Sequence, residues 1–170
     1  MALTVNTDTY ISLADCDTYL AANYISTDAK YVAWAALTDA NCEVLLRKAA
    51  QTIDRQPLAG YKYISTQAMA FPRYTYSESA DDNTNLHPLL RANGYYCDGT
   101  VPDAVKYAQC EIAIELAQGS NARADMQRQG VKSFSLGNLS ETYTGSQNSI
   151  ISHEAKQLLV PYLGGGFRVG

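Results

Sequence analysis

The sequence predicts a mainly α-helical fold: a small bundle of about four helices, a β-hairpin between the third and fourth, and a flexible C-terminal tail. Three observations carry this expectation. Several stretches repeat apolar residues at spacings of three and four, as a helix with one buried face does. Only one short region alternates with period two, around the pair Gly137-Asn138. Three consecutive glycines at 164–166 then precede Phe167, Arg168 and Val169, a stretch that is costly to order on its own. The chain has 170 residues, 46% of them hydrophobic and 18% charged, enough for one core without disulfides or metal. Residues 1–163 are therefore expected to form a single helical domain, with a long loop over 61–97, a hairpin over 131–143, and a tail over 164–170.

The first helix is expected over residues 13–24. Ser12 and Asp15 resemble a capping box, with the carboxylate in the positive first turn, and Leu13, Cys16, Leu20 and Tyr24 form one apolar stripe. Trp34 follows in an Ala-rich stretch and reads as an anchor of the connection to the next helix. Thr38 begins the second helix and Asp39 charges its first turn. Leu45, Ala49 and Ile53 repeat every four residues beside Val44, Leu46 and Ala50, while Glu43 and Arg47 form an i,i+4 pair in the favourable order. Pro57 and Gly60 discourage continuation past Arg55. Arg47 and Lys48 read as a solvated face.

From Tyr61 to Cys97 the periodicity fades into a long connection, and loops of this length inside a domain are commonly functional. Pro72 fixes its own φ and biases Phe71 toward extended backbone. Phe71 is thus expected to point into the core and Arg73 toward a partner. Pro102 and Asp103 open a third helix, whose Val105, Ala108, Ile112 and Leu116 keep the period until Gly119, with Cys110, Ala113 and Ala117 widening the face. In the hairpin, Phe134 and Leu136 share one face of the first strand, and Leu139 and Tyr143 one face of the second. A last short helix is expected after Ser149 or Ser152, ending near Pro161.

Composition excludes several functions. A net charge of −4 and a pI near 5.1 disfavour a protein whose main task is gripping phosphates, because non-specific nucleic-acid affinity comes from Lys and Arg. Cys16, Cys42, Cys97 and Cys110 show no zinc spacing and read as reduced core residues. His87 and His153 have no second ligand at helical spacing, Asp81 and Asp82 sit in a polar loop, and Glu111 and Glu115 read as a solvated helix face. No catalytic residue, metal site or cofactor is therefore expected, and the chain reads as a non-enzyme. Neither a secretion signal nor a run long enough to span a membrane is visible. Thirteen tyrosines against one tryptophan supply apolar area with a polar tip, which suits interfaces.

Taken in order, Tyr10-Ile11-Ser12-Leu13-Ala14-Asp15 with Tyr19, the helix from Leu45 to Asp54, Gln67-Ala68-Met69-Ala70-Phe71-Pro72-Arg73, Val101-Pro102-Asp103-Ala104-Val105, the hairpin and Leu158-Leu159-Val160-Pro161-Tyr162-Leu163 resemble one known group. These are the tailed-phage neck proteins labelled DnaT-like single-stranded DNA-binding proteins, similar in arrangement to head-tail adaptors. Two features differ from that pattern: Phe71 stands where tryptophan is expected before Pro-Arg, and the polar segment 74–93 is longer. The resemblance implies a virion protein at the head-tail junction, assembled in the host cytoplasm. It implies a twelve-subunit ring under the portal, a neck or tail protein below, and genomic DNA passing without tight binding; no membrane is involved. The residues expected to bind partners are Phe134, Leu136, Leu139, Tyr143, Phe167, Arg168 and Val169, with Phe71 and Arg73 as a loop contact. The family label also admits an alternative, a single-stranded DNA-binding replication accessory protein.

Overall fold

The computed structural model describes residues 3–76, 95–96, 99–119, 133–136, 139–142 and 152–164. Among them are five α-helices: α1 (Leu13–Asn23), α2 (Ala29–Ala35), α3 (Asp39–Asp54), α4 (Asp103–Ala117) and α5 (His153–Leu159), the last running into a 3-10 turn, Val160–Tyr162. The strands are β1 (Tyr61–Lys62), β2 (Arg73–Tyr76), β3 (Tyr95–Tyr96), β4 (Ser133–Leu136) and β5 (Leu139–Thr142). The fold is mainly α, as the periodicity predicts.

Helix starts follow local chemistry. The Ser12 hydroxyl accepts the Asp15 N–H at 3.1 Å, and the Ser152 hydroxyl accepts that of Ala155 at 3.1 Å, so Ser152 rather than Ser149 opens the last helix. The helix α2 was not foreseen. It spans only seven residues, too few to show a period, and its signal is Asp28, whose carboxylate accepts the Lys30 N–H at 2.8 Å. Trp34 lies inside this helix rather than in a connection. Buried there, it donates its indole N–H to Asp17 at 2.8 Å, which ties α2 to α1.

The helix α4 is central, because α1, α2, α3 and α5 all pack on it. Every residue from Ala108 to Ile114 is buried, so α4 is wrapped on all sides instead of presenting one stripe. In α3 the buried set is Cys42, Leu46, Ala49, Ala50, Thr52 and Ile53. The face is rotated from the expected one: Leu45 is half-buried and Val44 is 44% exposed. Cys16, Cys42 and Cys110 are free and buried, and burial, with the charges of Asp17 and Asp39, pushes the Cys42 thiol up to about 11. Cys97 lies outside the described residues.

Inside the expected long loop the chain forms a three-stranded sheet in the order β1-β2-β3. Tyr61 pairs with Tyr74 and Tyr76 with Tyr95, all antiparallel. Two-residue pairings are too short for an alternating pattern to be legible. The hairpin forms where alternation placed it: Leu136 pairs with Leu139 and Phe134 with Glu141.

Candidate functional site

Phe71 is buried as expected. It packs edge-on between Tyr10, at 5.9 Å, and Tyr162, at 5.5 Å, and the Phe71-Pro72 peptide is cis. Arg73 turns inward. Its guanidinium donates to the carbonyls of Gly60 at 2.7 Å, Ala59 at 2.9 Å, Ala70 at 3.3 Å and Leu58 at 3.4 Å. The turn that aims these oxygens uses Gly60 at φ 72°, a left-handed conformation that glycine adopts without strain. Burial lowers the Arg73 pKa, yet the four acceptors keep it a structural clamp between residues 58–60 and β2. Strands β4 and β5 carry Phe134, Leu136 and Leu139 at paired register positions. Tyr143, Phe167, Arg168 and Val169 lie outside the described residues.

Two buried polar clusters organise the body. Gln109 is fully buried. Its side-chain carbonyl accepts the Tyr10 N–H at 2.8 Å, and its amide donates to Thr9 Oγ1 at 2.6 Å and to the Leu46 carbonyl at 2.9 Å. One side chain thereby joins the N-terminal segment, α3 and α4. Nearby, the Tyr10 hydroxyl donates to the Asp54 carboxylate and accepts the Ala70 N–H at 3.1 Å.

The second cluster overturns the reading of Glu111 as solvated. Glu111 is 4% exposed and accepts the hydroxyls of Tyr19 at 2.9 Å and Tyr24 at 2.5 Å, one on each oxygen. A carboxylate can be buried when donors replace its water. Burial, then the hydrogen bond to Glu111 and its charge, pushes both phenols above their usual range, as burial and Asp54 do for Tyr10. At neutral pH all three remain protonated donors. Glu115, one turn further along α4, pairs with Lys30 of α2 at 2.7 Å; burial lowers the Lys30 pKa, but Glu115 outweighs it and the net direction is upward.

Outside the second cluster lies a groove of about 890 Å³ between the N-terminal segment, α1 and the first turns of α4. Tyr19 and Tyr107 stack across it, with centroids 4.5 Å apart and planes inclined by 10°. Asp15 and Asp103 line it together with Lys106, whose ammonium pairs with Asp103 at 2.7 Å. Val5 is 43% and Tyr107 36% exposed. Sequence reasoning missed Tyr107. The available signal was its i,i+4 spacing to Glu111, which puts the two on one face of α4.

Among the described residues no group of three or more His, Cys, Asp or Glu could hold a metal ion. No described helix is long and apolar enough to cross a membrane. A family model described as "Putative DnaT-like ssDNA binding protein" matches residues 2–169. The chain belongs to this family. Membership in the DnaT-like family, which the order of the sequence motifs anticipated, covers the helical body, both sheets and the glycine-rich segment alike. No curated protein and no solved structure matches the chain.

Proposed function

We propose that this DnaT-like family member is a non-enzymatic neck subunit of a tailed phage, a head-tail adaptor that forms a ring under the portal and extends the DNA channel. The β4–β5 hairpin carries the reading. It is a two-stranded sheet that pairs with no third strand among the described residues. Two strands of four residues leave outer edges open and bury too little to be stable alone. A neighbouring subunit supplies what the hairpin lacks.

The charges support the same reading. Lys30, Arg47 and Lys106 face carboxylates of their own chain, and Arg73 is held by carbonyls. With a net charge of −4, such a subunit lets DNA slide past without gripping it. Mass measurement of the purified chain, alone and mixed with portal protein, tests the proposal: a complex carrying several copies per portal ring is expected. A chain that stays free of the portal overturns it.

The family name favours a second reading, a replication-associated single-stranded DNA binder. That function needs a basic groove with aromatics available for stacking, whereas the groove found here is lined by two aspartates against one lysine. Fluorescence titration with oligothymidylate separates the readings. Weak binding that vanishes near 0.2 M salt, roughly physiological, is expected of the adaptor; tight binding that survives it supports the second reading.

A further inference from the structure

We propose that the groove between α1 and α4 is the receptor for the segment 165–170 of a second copy of the chain, so that adjacent subunits are joined by a short arm. The groove offers a stacked aromatic pair, Tyr19 and Tyr107, with an exposed apolar residue, Val5, at its side. It also offers carboxylates: Asp103 is answered by Lys106 at 2.7 Å, while Asp15 is exposed and hydrogen-bonded to the Ser12 hydroxyl at 2.6 Å. The lining therefore combines carboxylate, apolar and aromatic groups.

The segment after Gly164 has the complementary chemistry. Residues 165–170 read Gly-Gly-Phe-Arg-Val-Gly, with one aromatic, one cation, one branched residue and no acid. Phe167 matches the tyrosine pair, since aromatic rings gain from edge or offset contact beyond their area. Arg168 matches Asp15, because a guanidinium fork pairs with a carboxylate by two hydrogen bonds. Val169 matches Val5. Glycines leading into the arm let it adopt whatever path the neighbour requires.

The root of the arm is fixed. Leu163 bridges to Leu58, and the Gly164 N–H donates to the Pro57 carbonyl at 2.6 Å. The arm thus leaves from a rigid point beyond α3 and meets a different patch, the α1–α4 groove, on its neighbour. A contact in which one patch meets another is heterologous, the kind that gives a ring when the rotation between copies closes. The proposal rests on the ring-forming reading above, but it is tested without any portal.

The test is fluorescence anisotropy of a labelled peptide, Gly-Gly-Gly-Phe-Arg-Val-Gly, titrated with the full chain and its variants. Saturable binding to the wild type is expected. Tyr107→Ala and Asp15→Arg should each weaken it about tenfold, and a peptide carrying Arg168→Asp should regain that loss with the Asp15→Arg chain. Circular dichroism checks that each variant is folded, and Tyr107, being exposed, gives a readout if the Asp15 variant is not. Binding that does not saturate, or that both groove variants leave unchanged, overturns the proposal. So does oligothymidylate that displaces the peptide and is lost with the same variants, which would assign the groove to nucleic acid. A chain that joins the portal but ignores the peptide sinks the arm and leaves the adaptor reading standing.

Discussion

The helical body and the β4–β5 hairpin contrast in what holds them among the described residues: four helices pack on α4, whereas β4 and β5 form a separate two-stranded sheet. In the body, the buried Gln109 makes three hydrogen bonds within the chain, the buried Glu111 receives two phenols, and the half-buried Arg73 is held by four carbonyls. In the hairpin, β4 and β5 answer only each other among the described residues. On the reading proposed above, in which a neighbouring subunit completes the hairpin, stability should respond to substitutions in the body and assembly to substitutions in the hairpin.

The sharpest test in the body is Gln109→Leu. The leucine fits the volume but leaves the Tyr10 N–H buried without its acceptor and removes the added bonds to Thr9 and to the Leu46 carbonyl, so a loss of about 3 kcal/mol is expected by denaturant unfolding. A loss below about 0.5 kcal/mol would mean that water replaces the amide and that the body is less closed than it looks. Glu111→Ala follows, with about 2 kcal/mol expected from two lost charge-assisted bonds. Glu111→Gln, which keeps an acceptor, should recover part of that in the same assay.

Alkaline pH probes the same clusters. Tyr10, Tyr19 and Tyr24 hold their protons more tightly in the folded chain than in the unfolded one. Their stabilisation is complete below the free-phenol value of about 10 and is lost as pH rises from there toward their raised folded values. Cys16 and Cys42 are raised as well, so loss should begin near the free-thiol value, about 9. Unfolding midpoints should be flat from neutral pH to about 9 and then fall, and a flat profile throughout would disconnect the clusters from stability. A smaller effect, about 0.5 kcal/mol and vanishing at high salt, is expected for Lys30→Ala, because its ion pair with Glu115 is partly exposed.

The smallest effect on stability belongs to the hairpin. Phe134→Ser and Leu139→Ser should leave the melting temperature nearly unchanged while reducing association with the portal in a pull-down. If melting drops and association persists, the hairpin is part of the body's core and the comparison drawn above fails.

Much of the fold was legible residue by residue. Ser12 and Ser152 cap helices because a hydroxyl there meets a free N–H, Asp39 and Asp103 sit in positive first turns, and the alternation around Gly137-Asn138 places β4 and β5. The site was far less legible. Tyr107 and Glu111 look like ordinary polar punctuation of an amphipathic helix, and Arg73 looks like a cation offered to a partner until the Gly60 turn brings carbonyls around it. The three-stranded sheet was invisible because its pairings over Tyr61–Lys62 and Tyr95–Tyr96 span two residues each.

By itself the sequence determined what short-range physics governs, where most of the helices begin and end and which strands form the hairpin, and the order of its motifs carried the family resemblance. Only the tertiary structure decided which faces of α4 are buried. Four helices pack on it, and its polar groups are answered by residues far away in the chain, Thr9 lying 100 positions from Gln109 and Tyr24 lying 87 from Glu111. Such partners leave no local trace. A carboxylate with no cation beside it in sequence reads as solvated until folding brings two phenols to its oxygens.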